Sequence, residues 1–421
     1  MGQGKGLKIL LVTNKCPPDV DGGLEMSAYQ VACGLRERGH ELDIVTSHLR
    51  PGFVLEGSEP DWVHRIFHYV PISSKTGLAR KADAALRRIT CTTVAEKNVP
   101  AMETFLQGRS YDLAYCFGLH RISLATAYPL TSRGIPILWH AGGTYVVDQL
   151  YRWPAEIAGF RIAMNTVAKK WHDMERRTDY SHIAYISEFL RDEFHRYGMR
   201  VPNEYIIPRG IGIELGADLD RRRADPPTFL VASRMDREKG IDVAVAAFVE
   251  LHRRSPSLHW KLQIAGAAGD PSYKAELEEA VRAGGIADRV EFLGKIPLDR
   301  VLSHMRDATA FISPSRFGEP FGRTNIEAMA SGTPLIASIT GAIKEIAVHG
   351  ESALMYDKED ALALSRHLEN VLTDSTLRTK LASNALNVIR SRFTLDSILD
   401  QTEIVMKAMV SEARHQKAGA A

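Results

Sequence analysis

Cysteine is scarce in this sequence, with four residues in a chain of 421. They are Cys16, Cys33, Cys91 and Cys116, which form no C-x-x-C pair and have no histidine partners at zinc-finger spacing. A disulfide framework and a structural metal site are therefore not expected. Without disulfides, a reducing cytoplasmic compartment is the default expectation for the protein.

Long apolar runs and an excess of one charge are also missing. No segment approaches the ~20 consecutive apolar residues that a membrane-spanning helix needs. The apolar run at residues 9–12 is too short for the core of a signal peptide. The 53 basic and 51 acidic residues leave a formal net charge of +2, so we expect no general attraction to nucleic acid. A content of 45% apolar and 25% charged residues is that of a globular protein.

Short apolar segments alternate with helical ones in both halves of the chain, which predicts an α/β fold with parallel sheets covered on both faces. Predicted strands of the first half are 7–13, 41–46, 62–69, 112–117, 136–140 and 181–186. Predicted strands of the second half are 228–232, 260–265, 290–293, 310–313 and 335–338. Predicted helices are 27–38, 241–254, 271–283, 298–306, one from about 323, 362–372, 375–390 and 395–411.

The two halves are joined by a segment with the composition of a linker. Residues 208–227 contain three glycines and end in Pro226-Pro227. We therefore predict a Rossmann-like lobe at 1–207, a hinge at 208–227, a second Rossmann-like lobe at 228–394 and a tail at 412–421.

The most informative segment contains two glutamates eight positions apart, Glu319 and Glu327. It connects two predicted strands through a glycine-bearing loop and a short helix that starts near Arg323. Unpaired amides in the first turn of a helix favour a phosphate, and a carboxylate can accept hydrogen bonds from the hydroxyls of a ribose or a second sugar. The segment therefore predicts a site for a sugar nucleotide. For an isolated pair of glutamates, a helix-end acid and a solvated loop acid would be the simpler interpretation.

Other candidate residues follow predicted strands. Arg234 and Lys239 come after the first strand of the second half, where two cations could stabilise the charge of a leaving diphosphate in place of a metal; exposed charges are the alternative. His140 ends a strand before Gly142 and Gly143, although a strand-end histidine is more often a packed residue. No Ser/His/Asp arrangement or clearly poised general base is present, and the N-terminal glycine turn lacks the G-x-G-x-x-G spacing of a dinucleotide site.

The context Pro-Ser-x3-Glu-Pro-Phe-Gly-x4-Glu-Ala-Met-Ala-x-Gly-x-Pro resembles the donor-site signature of retaining glycosyltransferases of the two-domain family 4 type (glycosyl transferases group 1). Three further landmarks occur in the matching order: Gly22-Gly23-Leu24-Glu25, Trp139-His140-Ala-Gly-Gly143 and Ser233-Arg234-x4-Lys239-Gly240. The resemblance implies a GT-B fold, with two Rossmann-like lobes and a donor/acceptor cleft between them. It also implies that the helix at 395–411 completes the first lobe.

This resemblance implies a metal-independent retaining hexosyltransferase. It would move a hexose or N-acetylhexosamine from a nucleotide sugar, UDP-linked by preference, to a hydroxyl acceptor on a glycoconjugate, polysaccharide or natural product. The implied catalytic residues are His140, Arg234, Lys239 and Glu319. The implied donor-binding residues are Gly22, Gly23, Arg234, Lys239, Gly294, Ile296, Glu319, Pro320, Phe321, Gly322, Arg323, Thr324, Asn325 and Glu327. No cofactor is implied beyond the donor substrate.

Two positions depart from the family pattern. Residues 340–345, Thr-Gly-Ala-Ile-Lys-Glu, have lost one glycine of the usual Gly-Gly-x-x-Glu, and Arg323 stands where an apolar residue is common. Both lie near the expected donor, so the sugar and the nucleobase stay open, as does a nucleotide-sugar epimerase or hydrolase of the same fold. The basic segment 75–107 is a candidate for weak membrane contact, although a solvated surface helix is the simpler interpretation.

Overall fold

The computed structural model describes residues 6–20, 23–53, 55, 57–70, 90–152, 162, 166, 168–212, 215–216 and 224–420. The chain divides into two compact units, Met1–Gly210 with Leu395–Ala421 and Ile211–Thr394. No helix within the described ranges is long and apolar enough to cross a bilayer. Of the segment predicted as a membrane contact, residues 75–89 lie outside the described residues.

The first unit contains a parallel sheet, with seven strands among the described residues. In chain order they are β1 (Lys8–Thr13), β2 (Glu41–Ser47), β3 (Val63–Phe67), β4 (Leu113–Phe117), β5 (Ile137–Ala141), β6 (His182–Tyr185) and β7 (Asn203–Ile206). Their order across the sheet is β3-β2-β1-β4-β5-β6-β7. Every residue of β4 and β5 is buried, as expected for central strands of a parallel sheet with both faces covered.

The second unit contains a parallel sheet with six described strands. They are β8 (Thr228–Ala232), β9 (Lys261–Ala265), β10 (Val290–Gly294), β11 (Ala310–Ser313), β12 (Leu335–Ser338) and β13 (Leu354–Tyr356). Their order is β10-β9-β8-β11-β12-β13. The apolar core of this unit includes Phe229, Phe248 and Trp260, whose rings contact one another.

Helices follow most of the strands, as the alternating pattern predicts. In chain order they are α1 (Gly23–Glu37), α2 (Ala95–Phe105), α3 (Tyr128–Ser132), α4 (Tyr145–Val147), α5 (Lys169–Arg177), α6 (Glu188–Arg196), α7 (Ile241–Arg254), α8 (Pro271–Ala283), α9 (Leu298–Asp307), α10 (Arg323–Ala330), α11 (Ile343–Ile346), α12 (Ala361–Thr373), α13 (Ser375–Arg392) and α14 (Leu395–Ala420). The start of α8 shows why some bounds were predictable: Asp270 caps the helix through the amide of Ser272, and Pro271 occupies its first position.

The last helix, α14, packs within the first unit. A side chain at Gly34 of α1 would overlap Leu399, so the two helices approach closely there. Arg38 pairs with Asp396, Asp400 and Glu403 of α14. The helix continues to Ala420 through the segment for which the sequence predicts a tail.

Each sheet reverses its strand order at one place, between β1 and β4 in the first unit and between β8 and β11 in the second. In open α/β sheets, ligands bind outside the carboxyl ends of the strands at such a reversal. Residues 233–239 follow β8 and residues 314–319 follow β11, so the fold brings the predicted cations and the first predicted carboxylate to the same sheet edge.

Candidate functional site

A cavity of about 240 Å³ opens at the reversal in the sheet of the second unit. Its walls come from the ends of β8 and β11, the loops that follow them and the start of α10. The lining residues are Val231, Ala232, Ser233, Arg234, Lys239, Phe311, Ile312, Ser313, Pro314, Ser315, Glu319, Gly322, Arg323 and Thr324. Apart from Gly322, this one cavity is therefore lined by five residues of the predicted donor site: Arg234, Lys239, Glu319, Arg323 and Thr324.

The centre of the cavity contains an ion pair between Lys239 Nζ and Glu319 Oε1, two residues 80 positions apart in the chain. Both side chains are partly exposed, at 20% and 27%. Ser315 Oγ lies 3.4 Å from the same carboxylate oxygen. Gly240, with φ +63°, passes so close to the carbonyl of Pro314 that a side chain would not fit. The close approach of the two loops thus places the lysine beside the glutamate.

The N-terminus of α10 forms another wall. Gly322 precedes the helix with φ +78°, a conformation that glycine adopts readily. Asn325, in the first turn, is 4% exposed, and its Oδ1 has no hydrogen-bond partner among the described residues. The amides of this first turn and the positive end of the helix favour an anion at the cavity.

Glu327 is buried below the helix start and does not line the cavity. Its Oε1 accepts a hydrogen bond from Arg323 Nε at 2.7 Å. Burial raises the pKa of this carboxyl, and the charge and hydrogen bond of Arg323 act in the opposite direction. Arg323, the residue that departs from the family pattern, therefore helps to keep a buried glutamate ionised.

The remaining cation of the cavity, Arg234, is the most exposed of the three. Its side chain is 69% exposed, and Nη1 lies 2.8 Å from Asp236 Oδ2. Nothing in the sequence singles out Asp236, yet its carboxylate binds the guanidinium of Arg234. Each of the three cationic side chains, Arg234, Lys239 and Arg323, thus contacts a carboxylate.

The loop at residues 340–345, the other departure from the family pattern, contacts Glu319 directly. Gly341 has φ +56°, and a side chain there would overlap the backbone nitrogen and oxygen of Glu319. The amide of Ala342 donates to the carbonyl of Glu319 at 3.0 Å. The one glycine retained in this loop is therefore the one that supports the backbone of Glu319.

Besides Asn325 and Glu327, four further predicted donor residues of the second unit do not line the cavity. Gly294 ends β10 with φ +66°, and half-buried Ile296 follows two positions later. Phe321 is buried, with its ring 5.7 Å from that of Phe393, so it serves the packing of the unit. Pro320 precedes it in the loop after β11 and is also outside the lining.

The first unit contains its own cavity, of about 310 Å³, beyond the ends of β4 and β5. Its lining residues are Leu24, Gly118, Leu119, His120, Trp139, His140, Ala141, Gly142, Gly143, Thr144, Tyr145, Val146, Asp148, Ile183 and Phe194. Of the predicted glycines, Gly23 begins α1 and Gly22 lies outside the described residues.

His140 is 4% exposed and is held on two sides. Its Nδ1 lies 2.8 Å from the hydroxyl of Tyr115, and its ring stacks on Phe117 with centroids 4.4 Å apart. Burial, with a smaller contribution from the positive charge of Arg209, lowers the pKa of His140 to about 3. The imidazole is therefore neutral at ordinary pH but a weak proton acceptor, which suits a hydrogen-bonding group better than a general base.

Arg209 is a residue that the sequence places only in a linker. Its Nη2 lies 3.4 Å from the carbonyl of Gly142, and a side chain at Gly142 would overlap both Arg209 and Leu24. Gly142 therefore lies in close contact with the ends of these two side chains. The Gly142-Gly143 pair is the sequence feature that could have indicated this close approach.

A second group missed in the sequence lies in the loop after β1. Lys15 and Asp19 are both 1% exposed, with Nζ and Oδ1 3.2 Å apart. Arg50 donates to the same carboxylate from its amide at 2.9 Å and from Nε at 2.6 Å. These bonds outweigh the effect of burial and lower the pKa of Asp19. No sequence pattern distinguishes such a buried ion pair from the loop charges around it.

Across the described part of the chain, no group of three or more His, Cys, Asp or Glu side chains is placed to hold a metal ion.

Two family models match the chain in succession. The model described as Glycosyltransferase Family 4 matches residues 21–215, and the model described as Glycosyl transferases group 1 matches residues 220–388. The first match ends close to the boundary between the two units, and the second covers both β8 and the α10 segment.

Among curated relatives, a lipopolysaccharide core biosynthesis mannosyltransferase of Rhizobium leguminosarum bv. viciae is 32% identical over 43% of this chain and 51% of its own length. A phosphatidyl-myo-inositol mannosyltransferase of Mycolicibacterium smegmatis is 26% identical over 87% of this chain and 85% of its own length. The first alignment therefore spans about half of that relative.

Solved structures share the whole fold. Sucrose-phosphate synthase from Thermosynechococcus elongatus superposes with a TM-score of 0.69 at 21% identity, covering 96% of this chain and 99% of that one. The Anabaena HepE protein in complex with UDP and glucose superposes with a TM-score of 0.62 at 19% identity, covering 95% of this chain and 99% of that one. With two parallel sheets of this kind and consecutive matches to both halves, the chain belongs to the GT-B glycosyltransferases, with a Glycosyltransferase Family 4 first half and a Glycosyl transferases group 1 second half.

Proposed function

We propose that this glycosyltransferase is a retaining, metal-independent enzyme that transfers a hexose or N-acetylhexosamine from a UDP-linked sugar to a hydroxyl acceptor. The observation that carries the proposal is the cavity of the second unit. It places Lys239, Arg234 and a helix N-terminus beside Glu319 at the reversal of the sheet. Such a set suits a ligand with a diphosphate next to a polyhydroxylated ring.

The cations would act on the leaving group. When the bond between the sugar and the diphosphate breaks, negative charge develops on the phosphate oxygens. Lys239 and Arg234 would stabilise this charge, and the amides at the start of α10 would add to their effect. Two fixed cations and a helix end supply positive charge of the kind that a divalent metal provides in other enzymes.

The carboxylates would hold the two ends of the donor. Glu319 lines the cavity and would accept hydrogen bonds from the transferred sugar. Glu327 lies outside the cavity lining and is paired with Arg323, which helps to keep its carboxylate ionised; when the donor binds, it would turn towards the ribose and accept hydrogen bonds from its hydroxyls. We expect Glu327→Ala to weaken nucleotide binding.

His140 would orient the reacting sugar through a hydrogen bond. A histidine with a pKa of about 3 takes up a proton too poorly to serve as the base near neutral pH. We propose instead that the departing phosphate removes the proton of the acceptor hydroxyl on the face that it leaves, which gives retention of configuration. The sugar would then pass to the acceptor oxygen as the proton passes to the phosphate.

The preference for UDP has support from the solved relative HepE, whose structure contains UDP and glucose. The two curated relatives are named mannosyltransferases, which supports a hexose as the transferred group. The nucleobase is therefore the part of the proposal to test first.

Calorimetry with UDP, GDP and ADP tests the proposal directly. We expect one of the three, UDP by preference, to bind with micromolar to millimolar affinity in the presence of EDTA. Binding of none of them would contradict the donor site, and binding only with added divalent metal would contradict metal independence. NMR of the product formed from the bound donor would report the anomeric configuration, and inversion would exclude the retaining mechanism.

The same cavity could serve an epimerase or a hydrolase of nucleotide sugars. Those reactions need an acid and a base around the sugar ring, whereas the low pKa of His140 makes it a weak proton acceptor and leaves it no proton to donate, and Glu319 is paired with Lys239. NMR of the donor in the absence of an acceptor separates the alternatives, because an epimerase would convert the donor without one.

A further inference from the structure

Arg316 lies in the loop after β11, three residues before Glu319, and all five of its N–H donors are used. Nη1 and Nη2 donate to the two oxygens of Asp242 at 2.6 Å and 2.7 Å. Nε and Nη2 donate to the two oxygens of Glu359, the latter at 2.8 Å. The second donor of Nη1 reaches the carbonyl of Arg237 at 3.0 Å.

These bonds connect the two loops that form the centre of the donor cavity. Arg237 belongs to the loop after β8, two residues before Lys239. The amides of Arg316 and Phe317 donate to the carbonyl of Glu238 in the same loop, at 2.8 Å and 3.2 Å. Asp242 lies in the first turn of α7, directly after that loop. Arg316 thus holds both the backbone before Lys239 and the helix after it.

We propose that Arg316 is a positioning residue of the donor cavity, whose guanidinium holds the loop bearing Lys239 against the loop bearing Glu319. The identity of the ligand rests on the proposed function, whereas the positioning itself does not. Arg316 does not line the donor cavity and acts through the backbone of residues 237–240.

The arrangement requires arginine and not simply a positive charge. A planar guanidinium forms two parallel bonds with each carboxylate, whereas lysine has three donors around one nitrogen. Hydrogen bonds from Arg316 and Tyr273 outweigh the effect of burial and lower the pKa of Asp242, so the pair is ionised at neutral pH.

Glu359 adds an independent sign that the cluster is under constraint. Its φ of +72° is uncommon for a residue with a side chain. Such conformations persist where the surroundings hold them in place, and here the two hydrogen bonds from Arg316 hold the carboxylate of Glu359.

The chain offers a matched control at the other end of α7. Arg254 pairs with Glu369, and the side chains are 27% and 28% exposed, compared with 28% and 43% for Arg316 and Asp242. Arg254→Gln therefore removes a similar ion pair from the same helix without touching either loop. Arg316→Lys and Arg316→Gln are the test variants, and Arg316→Lys keeps the charge should the glutamine variant fold poorly.

The first measurement is amide hydrogen exchange in the full chain without ligand. The amides of Lys239 and Gly240 donate to Asp236 and Arg237 within the loop, so loosening of the loop exposes them. We expect residues 237–240 to exchange at least several-fold faster in both Arg316 variants than in Arg254→Gln. Equal exchange in all three variants would overturn the inference, whatever the ligand of the protein is.

The second measurement is UDP affinity by calorimetry, with unfolding temperatures recorded for each variant. We expect Arg316→Lys and Arg316→Gln to bind about tenfold more weakly than the wild type, from the loss of charge-assisted hydrogen bonds between the loops, and Arg254→Gln to bind as the wild type does. Wild-type affinity in the Arg316 variants would overturn the positioning role. A wild type that binds no nucleotide would instead contradict the proposed function, and the exchange result would then decide the inference by itself.

Discussion

The two sheets reverse their strand order at equivalent places, yet their carboxyl edges carry different chemistry. At the β8/β11 edge of the second unit, three cations each contact a carboxylate, and their side chains are partly exposed. Near the β1/β4 edge of the first unit, the predicted catalytic side chain is a buried, uncharged histidine packed on a phenylalanine. One edge carries partly exposed charged side chains, and the other carries a buried, neutral imidazole.

This difference follows from solvation. Charges that remain partly in water can exchange a protein carboxylate for a ligand phosphate without a large desolvation cost. A fully buried imidazole loses its proton instead. On the proposed function, leaving-group stabilisation belongs to the second unit and sugar orientation to the first, and each of the following predictions tests one side of that division.

The largest effect is expected from Lys239→Ala. Removing the cation at the centre of the charged edge should lower turnover by roughly a hundredfold or more, because the developing negative charge loses its stabilisation. Steady-state kinetics with the preferred donor measures this. Lys274→Ala, which removes an exposed lysine paired with Glu278 on α8, is the control. Wild-type turnover in Lys239→Ala would mean that the charged edge is not the site of leaving-group chemistry.

Gly341→Ala should have the next largest effect. The substitution places a side chain at φ +56° and against the backbone of Glu319, so we expect a loss of about 1–3 kcal/mol in the free energy of unfolding together with weaker donor binding. Gly285→Ala is a close control, since Gly285 has φ +69° and no atom within 4 Å of the added side chain. Equal donor binding in the two variants would show that the Gly341 loop does not support the site.

Arg323→Leu installs the apolar residue that the family pattern expects and should act through Glu327. With only burial left to act on the carboxyl, its pKa rises further, so the protonated form persists to higher pH. Nucleotide affinity should fall several-fold at neutral pH, and its decline on acidification should begin at a higher pH than in the wild type. Calorimetry from pH 5 to pH 8 measures both.

The double variant Arg323→Leu/Glu327→Gln separates this route from a direct contact with phosphate. If Arg323 acts through Glu327, its substitution should change affinity little once Glu327 is glutamine. An undiminished loss in the double variant would assign Arg323 to the phosphate instead.

The smallest effect concerns the neutral edge. Because the folded state binds a proton at His140 only near pH 3, and an unfolded histidine does so below about 6.5, acidification through this window favours the unfolded state. The stability of the wild type should therefore fall more steeply from pH 7 to pH 5 than that of His140→Gln. Denaturant unfolding at several pH values measures the difference. If the stability of the two proteins fell in parallel, His140 would take up its proton in the folded state as it does in the unfolded chain. The two edges would then not differ in this respect.

Much of the fold could be predicted from the sequence. The bounds of β8, β11, β12, α7 and α8 agree with the prediction because each has a strong apolar pattern or a capping residue. The strands β7 and β13 were missed. They are edge strands of four and three residues, too short to show a period, and they exist because β6 and β12 offer them hydrogen-bond partners.

For the site, the sequence indicated which candidate side chains follow strand ends but not which partners they contact. Arg234, Lys239 and Glu319 were predicted and line one cavity. Asp236 and Arg316, which hold these loops, were passed over, because a charged loop residue looks the same in sequence whether it is solvated or bonded. The sequence predicts Glu327 at the ligand, and only the structure shows that its side chain is buried and bonded to Arg323.

By itself, the sequence determined which segments form strands and helices, and therefore which residues follow β8, β11 and β5. These features depend on apolar spacing, caps and glycines within a few positions of one another. Only the tertiary structure decided that Lys239 meets Glu319, that Arg316 joins Asp242 to Glu359, and that His140 is neutral. Ion pairs between distant residues and the desolvation of a side chain depend on how the strands assemble into a sheet, and no local pattern records that.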